Sequence, residues 1–226
     1  MREIVFDTET TGFEPSEGHR LVEIGALELI NHMPTGVTFH KFINPEREIP
    51  EEATRVHGIT NAKVADCPLF ADIAQAWIDF VGDSPMIAHN AAFDMRFINA
   101  ELGWIEMPLY PAERFIDTLV MARRKFPGSP VSLDALCRRF GIDNSHREYH
   151  GALLDSELLA EVYLELRGGR QPGLALAAHG QGDGDDRTPI NRPYREPRPH
   201  TVPADELETH HAFLTSKVKN ALWLSD

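Results

Sequence analysis

The chain has 226 residues, of which 42% are hydrophobic and 25% charged, enough for one substantial domain with an appendage and ordinary for a soluble protein. No apolar run approaches membrane-spanning length, and Ile4-Val5-Phe6 is too short for a secretory signal core, so a cytoplasmic location without membrane contact is expected. Cys67 and Cys137 lack the paired spacing of a zinc site or a disulfide framework, and a formal net charge of −13 argues against a chain that draws polyanions by its own Lys and Arg.

The acidity is uneven. Fifteen basic and 27 acidic residues precede Gly168, against 7 and 8 from there to the end. Bound divalent cations would offset such a local excess.

Up to about Arg167, strand-like and helix-like segments alternate with short connections, which predicts one α/β domain with a mixed sheet flanked by helices. Ile4–Phe6 reads as a short strand. Leu21–Ile30 and Val37–Ile43 read as two more, joined as a hairpin through Asn31–Gly36. Glu51–Val56 suits a short helix after Pro50, and Leu69–Val81 carries Leu69, Ile73, Ala76, Trp77 and Phe80 at helical spacing. Met86–Ala88 and Arg114–Ile116 read as short strands. Ala91–Leu102, Thr118–Lys125, Ser132–Phe140 and Leu153–Arg167 read as helices.

From Gly168 to Pro203 the composition changes to 6 glycines and 6 prolines in 36 residues, which predicts a flexible linker. Helical patterning returns over Asp205–Leu224, with Leu207, Leu214, Val218, Ala221 and Leu222 on one side. One short helix is marginal alone in water, so that stripe needs a partner or must fold back on the first domain.

Three clusters carry chemistry. Asp7 and Glu9 in Asp7-Thr8-Glu9-Thr10-Thr11-Gly12 would share one strand face, about 7 Å apart along the backbone, and repel unless a cation lies between them. Carboxylate-lined sites suit Mg²⁺ or Mn²⁺. Alone, this pair is as compatible with a solvated loop edge. In His89-Asn90-Ala91-Ala92-Phe93-Asp94, Asp94 falls in a helix's first turn, where it could simply complement the helix dipole. In His150-Gly151-Ala152-Leu153-Leu154-Asp155, His150 and Asp155 stand five apart at a helix start, where either alone could be a cap.

Together, the order D-x-E, D, H-x₄-D resembles the DnaQ-like (DEDD) exonucleases over roughly Met1 to Arg167. The resemblance implies a ribonuclease-H-like fold and two divalent metals, with Asp7, Glu9 and Asp155 as direct ligands and Asp94 holding the second metal. Two such ions, about 3.5–4 Å apart, could activate water and stabilise a departing 3′-oxygen. His150 is then the general base of the family's histidine branch. The other branch uses Y-x₃-D, and Tyr149 lies six before Asp155. Glu51–Ile59 resembles the family segment that contacts the terminal nucleotide, so Glu52 and His57 are expected at the substrate with Asp7, Glu9 and Asp155. On physics alone, Glu52 and His57 are equally well read as charges at the two ends of a helix. Asp117 is expected to cap a helix and is left out of the site.

Linker and terminal helix resemble the layout of proofreading exonuclease subunits of bacterial DNA polymerase III. That likeness implies a single-stranded DNA 3′ end as substrate and a C-terminal segment (204–226) bound to the polymerase III alpha subunit. It also implies a sliding-clamp motif at Gln171, Leu174 and Leu176, and room for a small theta-like subunit. A stand-alone exonuclease of DNA repair or RNA trimming keeps the same chemistry with another substrate. Because all five catalytic positions are filled, a non-enzymatic scaffold of this fold is disfavoured.

Overall fold

The computed structural model describes residues 1–145, 149–169 and 202–218. The candidate clamp motif at Gln171, Leu174 and Leu176, most of the expected linker, and residues 219–226 lie outside them. The chain separates into two compact units, Met1–Ala177 and Ala178–Asp226.

The first unit is built on five strands: β1 (Arg2–Thr10), β2 (Leu21–Ile30), β3 (Met33–Phe42), β4 (Met86–Ala88) and β5 (Phe115–Asp117). Their order in the sheet is β3-β2-β1-β4-β5; β1–β2 and β2–β3 are antiparallel, while β1–β4 and β4–β5 are parallel. The helices are α1 (Glu51–His57), α2 (Asn61–Val64), α3 (Phe70–Val81), α4 (Ala91–Trp104), α5 (Thr118–Lys125), α6 (Leu133–Phe140) and α7 (Ala152–Leu166). The second unit contains α8 (Ala204–Lys217), with Leu207 and Phe213 exposed. No helix among the described residues is long and apolar enough to cross a membrane.

Three elements differ from the sequence expectation. α8 ends at Lys217 with Val218 already extended (φ −111°), where helical patterning was expected to continue through Val218 toward Leu224. β1 runs on to Thr10 because β2 pairs with it along its whole length, so Asp7 and Glu9, expected on one face at the strand's end, share that face inside the strand. The hairpin turn is only Asn31-His32, both with positive φ (52° and 68°), which suits the right-handed twist of paired strands and lets β3 begin at Met33. In α2, Thr60 caps the first turn by accepting from the Lys63 backbone N–H.

Alternation along β1 sorts the core into two layers. Ile4 and Phe6 face α3 and α4, packing with Trp77, Phe97 and Ile98, with Phe6 and Trp77 ring centroids 5.7 Å apart. Val5 faces the other side with Leu27, Leu29, Leu159 and Tyr163. Asp7 and Glu9 share the Val5 face and Thr8 shares the Phe6 face, so one strand end serves both layers.

α7 crosses the Val5 face and is held by polar contacts at both ends. Near its start, the Glu23 carboxylate on β2 accepts from the Ala152 backbone N–H (3.1 Å), and the Ser156 hydroxyl donates to the Gly25 carbonyl (2.9 Å). Near its far end, the Tyr163 hydroxyl donates to the buried Glu3 carboxylate (2.8 Å). Burial and the adjacent Glu3 push the Tyr163 hydroxyl well above the usual phenol range. Gly25, opposite Asp7 in the ladder, lets the helix start rest on the strand. A Cβ there would lie 2.1 Å from the Leu153 nitrogen and 2.2 Å from the Ala152 carbonyl carbon, both backbone atoms that cannot swing aside.

Gly25→Ala should therefore push α7 off the sheet, costing roughly 1–3 kcal/mol as an overpacked site and lowering nuclease activity further than the stability loss explains. Denaturant unfolding paired with activity assays would check this, and wild-type values for both would refute the close-approach role.

Candidate active site

The site lies beyond the carboxyl ends of the parallel strands β1, β4 and β5, beside the strand where the sheet changes from antiparallel to parallel pairing, a usual position for ligand sites in open α/β sheets. β1 supplies Asp7 and Glu9. β4 leads through His89 and Asn90 into α4, whose first turn carries Asp94. Asn90 adopts φ 69°, a left-handed turn accessible to Asn, and so turns the chain sharply from strand to helix. Gly151 begins α7, whose first turn carries Asp155, and His150 stands just before it.

A cleft of about 520 Å³ is lined by Asp7, Glu9, Asp94, His150 and Asp155. All five residues expected from the sequence thus meet. Glu9, His150 and Asp155 each offer a ligand atom within 4.8 Å of the others. The His150 ring Nδ1 lies 3.3 Å from Asp155 Oδ2, with His150 half-exposed and Asp155 buried. Asp94 is buried at 2% exposure and accepts from the Thr8 hydroxyl at 2.6 Å. Burial pushes the Asp94 carboxyl up to about 7; the Thr8 hydrogen bond pulls it down, and the charge of Asp117 adds to the rise.

A second pocket, about 530 Å³, adjoins the first and shares Thr8, Glu9 and Phe93 with it. Glu52 and His57, both expected at the substrate, line it, as do Thr10, Gly12, Phe13, His19 and Val56. Glu52 is exposed, whereas His57 is buried in the wall, where its Nδ1 accepts from the Ile59 backbone N–H (3.0 Å). Burial holds the His57 ring below the usual imidazole range, with the nearby Thr10 carbonyl acting against that. Its Nε2 is buried without a hydrogen-bond partner among the described residues. Phe13 is 79% exposed and Val56 50%, unusual for large apolar side chains unless something covers them.

Asp117 accepts from the backbone N–H groups of Leu119 (2.8 Å) and Asn90 (3.1 Å), so it caps α5 and steadies the turn into α4. It stands outside the acid cluster, as expected. Sequence reasoning missed Thr8, Glu23, Gly25, Phe13 and His19. A lone glycine in a strand pattern is a usable sign of close backbone approach, so Gly25 was available to it; the partners of Thr8 and Glu23 depend on long-range packing.

A mixed sheet with helices on both faces and carboxylates gathered beyond the carboxyl end of its central strand is the form of ribonuclease-H-like nucleases. A family model described as exonuclease (RNase_T) matches residues 4–163, and the chain belongs to that family of 3′→5′ exonucleases. It is 47% identical over 226 residues to DNA polymerase III subunit epsilon of Rickettsia felis, covering 98% of this chain and 99% of that one. To the subunit of the same name from Escherichia coli strain K12 it is 44% identical over 187 residues, 80% of this chain and 76% of that one. Among solved structures it is similar to exonuclease X in complex with 5′ overhanging duplex DNA, with a TM-score of 0.58 and 29% identity over 73% of this chain and 90% of that one.

Without metal, Asp94 binds a proton more tightly folded than unfolded. Its contribution to stability is complete below the ordinary carboxyl range and is lost as pH rises through about 7. In EDTA, Asp94→Asn should therefore melt above wild type at pH 8, with the gap closing toward pH 5; equal melting curves at pH 8 would contradict it.

Proposed function

We propose that this chain is the proofreading 3′→5′ exonuclease subunit of a bacterial DNA polymerase III, removing mismatched 3′-terminal nucleotides during replication. The observation that carries this reading is the match to the Rickettsia felis epsilon subunit along nearly the whole of both chains, past the exonuclease region and through the terminal helix. A nuclease domain acting alone would not account for similarity there.

In this reading Asp7, Glu9 and Asp155 hold metal directly and Asp94 holds the second ion. The donor set supports it: clustered carboxylate oxygens suit hard divalent cations, and the buried Asp94 gains a counter-charge for its ionised form. Two such ions, Mg²⁺ or Mn²⁺, supply charge neutralisation of the phosphate and a lowered pKa for water. His150 accepts the proton of the attacking water, and Asp155 Oδ2 beside its Nδ1 orients the imidazole. Water's oxygen bonds to phosphorus, the bond from phosphorus to the preceding 3′-oxygen breaks with its electron pair going to that oxygen, which takes a proton to leave a 3′-hydroxyl on the shortened strand, and a nucleoside 5′-monophosphate is released. Glu52 and His57 hold that terminal nucleotide in the adjoining pocket, with Phe13, Val56 and Phe93 as apolar walls. Asp7, Glu9 and Asp155 would face its phosphate, where the metal they would hold would supply charge neutralisation.

Segment 204–226 binds the polymerase alpha subunit, 168–203 serves as a tether, and Gln171, Leu174 and Leu176 engage the sliding clamp. A theta-like third subunit fits the same assembly. Tethering raises the local concentration of the primer end, so an acidic domain needs little DNA affinity of its own.

A 5′-labelled primer–template with a matched or mismatched 3′ end, digested with Mg²⁺ or EDTA and with or without the alpha subunit, tests the whole reading. Expected are metal-dependent shortening, a faster rate on the mismatch and stimulation by alpha. Absence of stimulation would favour a stand-alone repair or RNA-trimming enzyme. Asp7→Ala should abolish shortening, and His150→Ala should lower its rate by roughly 10²–10⁴ while metal still binds.

A chain ending after Arg167 should keep nuclease activity and fail to co-elute with alpha in size exclusion. Co-elution would refute the tether.

A further inference from the structure

His150 is tied to the nucleotide pocket by a contact that the reaction itself does not require. Its backbone N–H donates to the Val56 carbonyl at 3.2 Å, and Val56 is one of the residues lining that pocket. The preceding residue, Tyr149, lays its ring over Gly58, just past the end of α1. A Cβ built on Gly58 would stand 3.1 Å from Tyr149 Cγ and 3.3 and 3.4 Å from the two Cδ atoms. Gly58 has φ 71° and closes α1 by donating its N–H to the Thr54 carbonyl, so glycine serves both the helix end and the ring's approach. Tyr149 is 53% exposed and His150 is half-exposed, so neither is fixed by deep burial. Among the described contacts, the C-terminal turn of α1 lies on one side of this segment and Asp155 on the other.

We propose that Tyr149 is a positioning residue: packed on Gly58, it clamps His150 to the turn of α1 that lines the nucleotide pocket, and so links seating of the 3′-terminal nucleotide to placement of the base. This rests on the reading of His150 as general base. Val56 is the shared element, touching the pocket with its side chain and His150 with its carbonyl. A nucleotide pressing on Val56 and Glu52 steadies the α1 turn, and the clamp passes that order to the imidazole. Reaction rate depends steeply on such placement, since misplacement of a catalytic group by about 1 Å can cost 10²-fold. The ring, rather than the hydroxyl, makes the described contact.

The test uses the full chain with Tyr149→Ala and Tyr149→Phe, each made in wild type and in His150→Ala, on a 5′-labelled single-stranded oligonucleotide with Mg²⁺. Tyr149→Ala should lower kcat about tenfold with KM within about twofold, and Tyr149→Phe should restore kcat. In the His150→Ala background, Tyr149→Ala should cost nothing more, because the group it positions is gone. An unchanged kcat, a loss only in KM, failure of Phe to rescue, or an equal loss in both backgrounds would each overturn the proposal. An inactive wild type would remove the exonuclease reading and this inference together, whereas an active wild type with an indifferent Tyr149 removes the inference alone.

Discussion

Like charges gathered at the end of one strand are the constraint from which this structure follows. Asp7, Glu9, Asp94 and Asp155 line a single cleft, and a protein without cations has little to offset them. Part of the answer is geometric. Asp94 and Asp155 are each the fourth residue of a helix, α4 and α7, that begins beside the cleft, so each acid sits where a helix's positive end favours a negative charge. The two helices approach from opposite faces of the sheet, and β1 meets both because its alternation sends Thr8 to one face and Asp7 and Glu9 to the other. Burial adds a cost of its own at Asp94, pushing its carboxyl up to about 7 against the pull of the Thr8 hydrogen bond.

Holding α7 in register is the second requirement, since it brings Asp155 and, one residue before its N-cap, His150. Apolar packing alone would allow the helix to slide. Glu23 fixes the first turn by accepting from Ala152, and is itself paired with His40 at 2.6 Å on β3. Glu23 also faces Glu9 across the ladder, which places two carboxylates side by side. The one on β2 spends its oxygens on a helix end and a histidine, leaving the one on β1 for the cleft. Gly25 then sets the depth at which the helix rests. Register, depth and charge at this helix start come from two nearby residues of β2, Glu23 and Gly25, although neither belongs to the expected catalytic set.

Much of this was legible in the sequence because the chemistry clusters locally. The D-x-E pair, Asp94 after a strand, and His150 with Asp155 each sit at a strand end or helix start that periodicity locates, and Asp117 caps the helix expected of it. Errors fell where long-range contacts override local pattern. β1 was read as the short strand Ile4–Phe6 with Asp7 and Glu9 sharing a face at its end; they do share a face, but pairing with β2 carries the strand on to Thr10. The role of Thr8 was invisible because its partner is 86 residues away. His57 was expected beside a nucleotide, and it does line the pocket, but burial and the Ile59 hydrogen bond make it part of the wall's frame as well.

The two adjoining pockets bear on how a proofreader would choose its substrate. The second pocket presents Phe13, Val56 and Phe93 beside Glu52 and His57, a largely apolar wall that would accept any base once it is unstacked and unpaired. Selection would then rest on the cost of unpairing, which is lower for a mismatched end than for a matched one, rather than on reading base edges. Such a scheme needs the rate to respond to proper seating of the nucleotide, or any strand brushing the acids would be cut. A base held through the same turn of α1 that lines the pocket would provide that response, since the His150 N–H is bonded to the carbonyl of Val56, a residue of the pocket wall. Specificity for the frayed end and placement of the base would then arise from one helix turn, and a chain carrying 13 excess negative charges could remain selective while being delivered to its substrate by a partner.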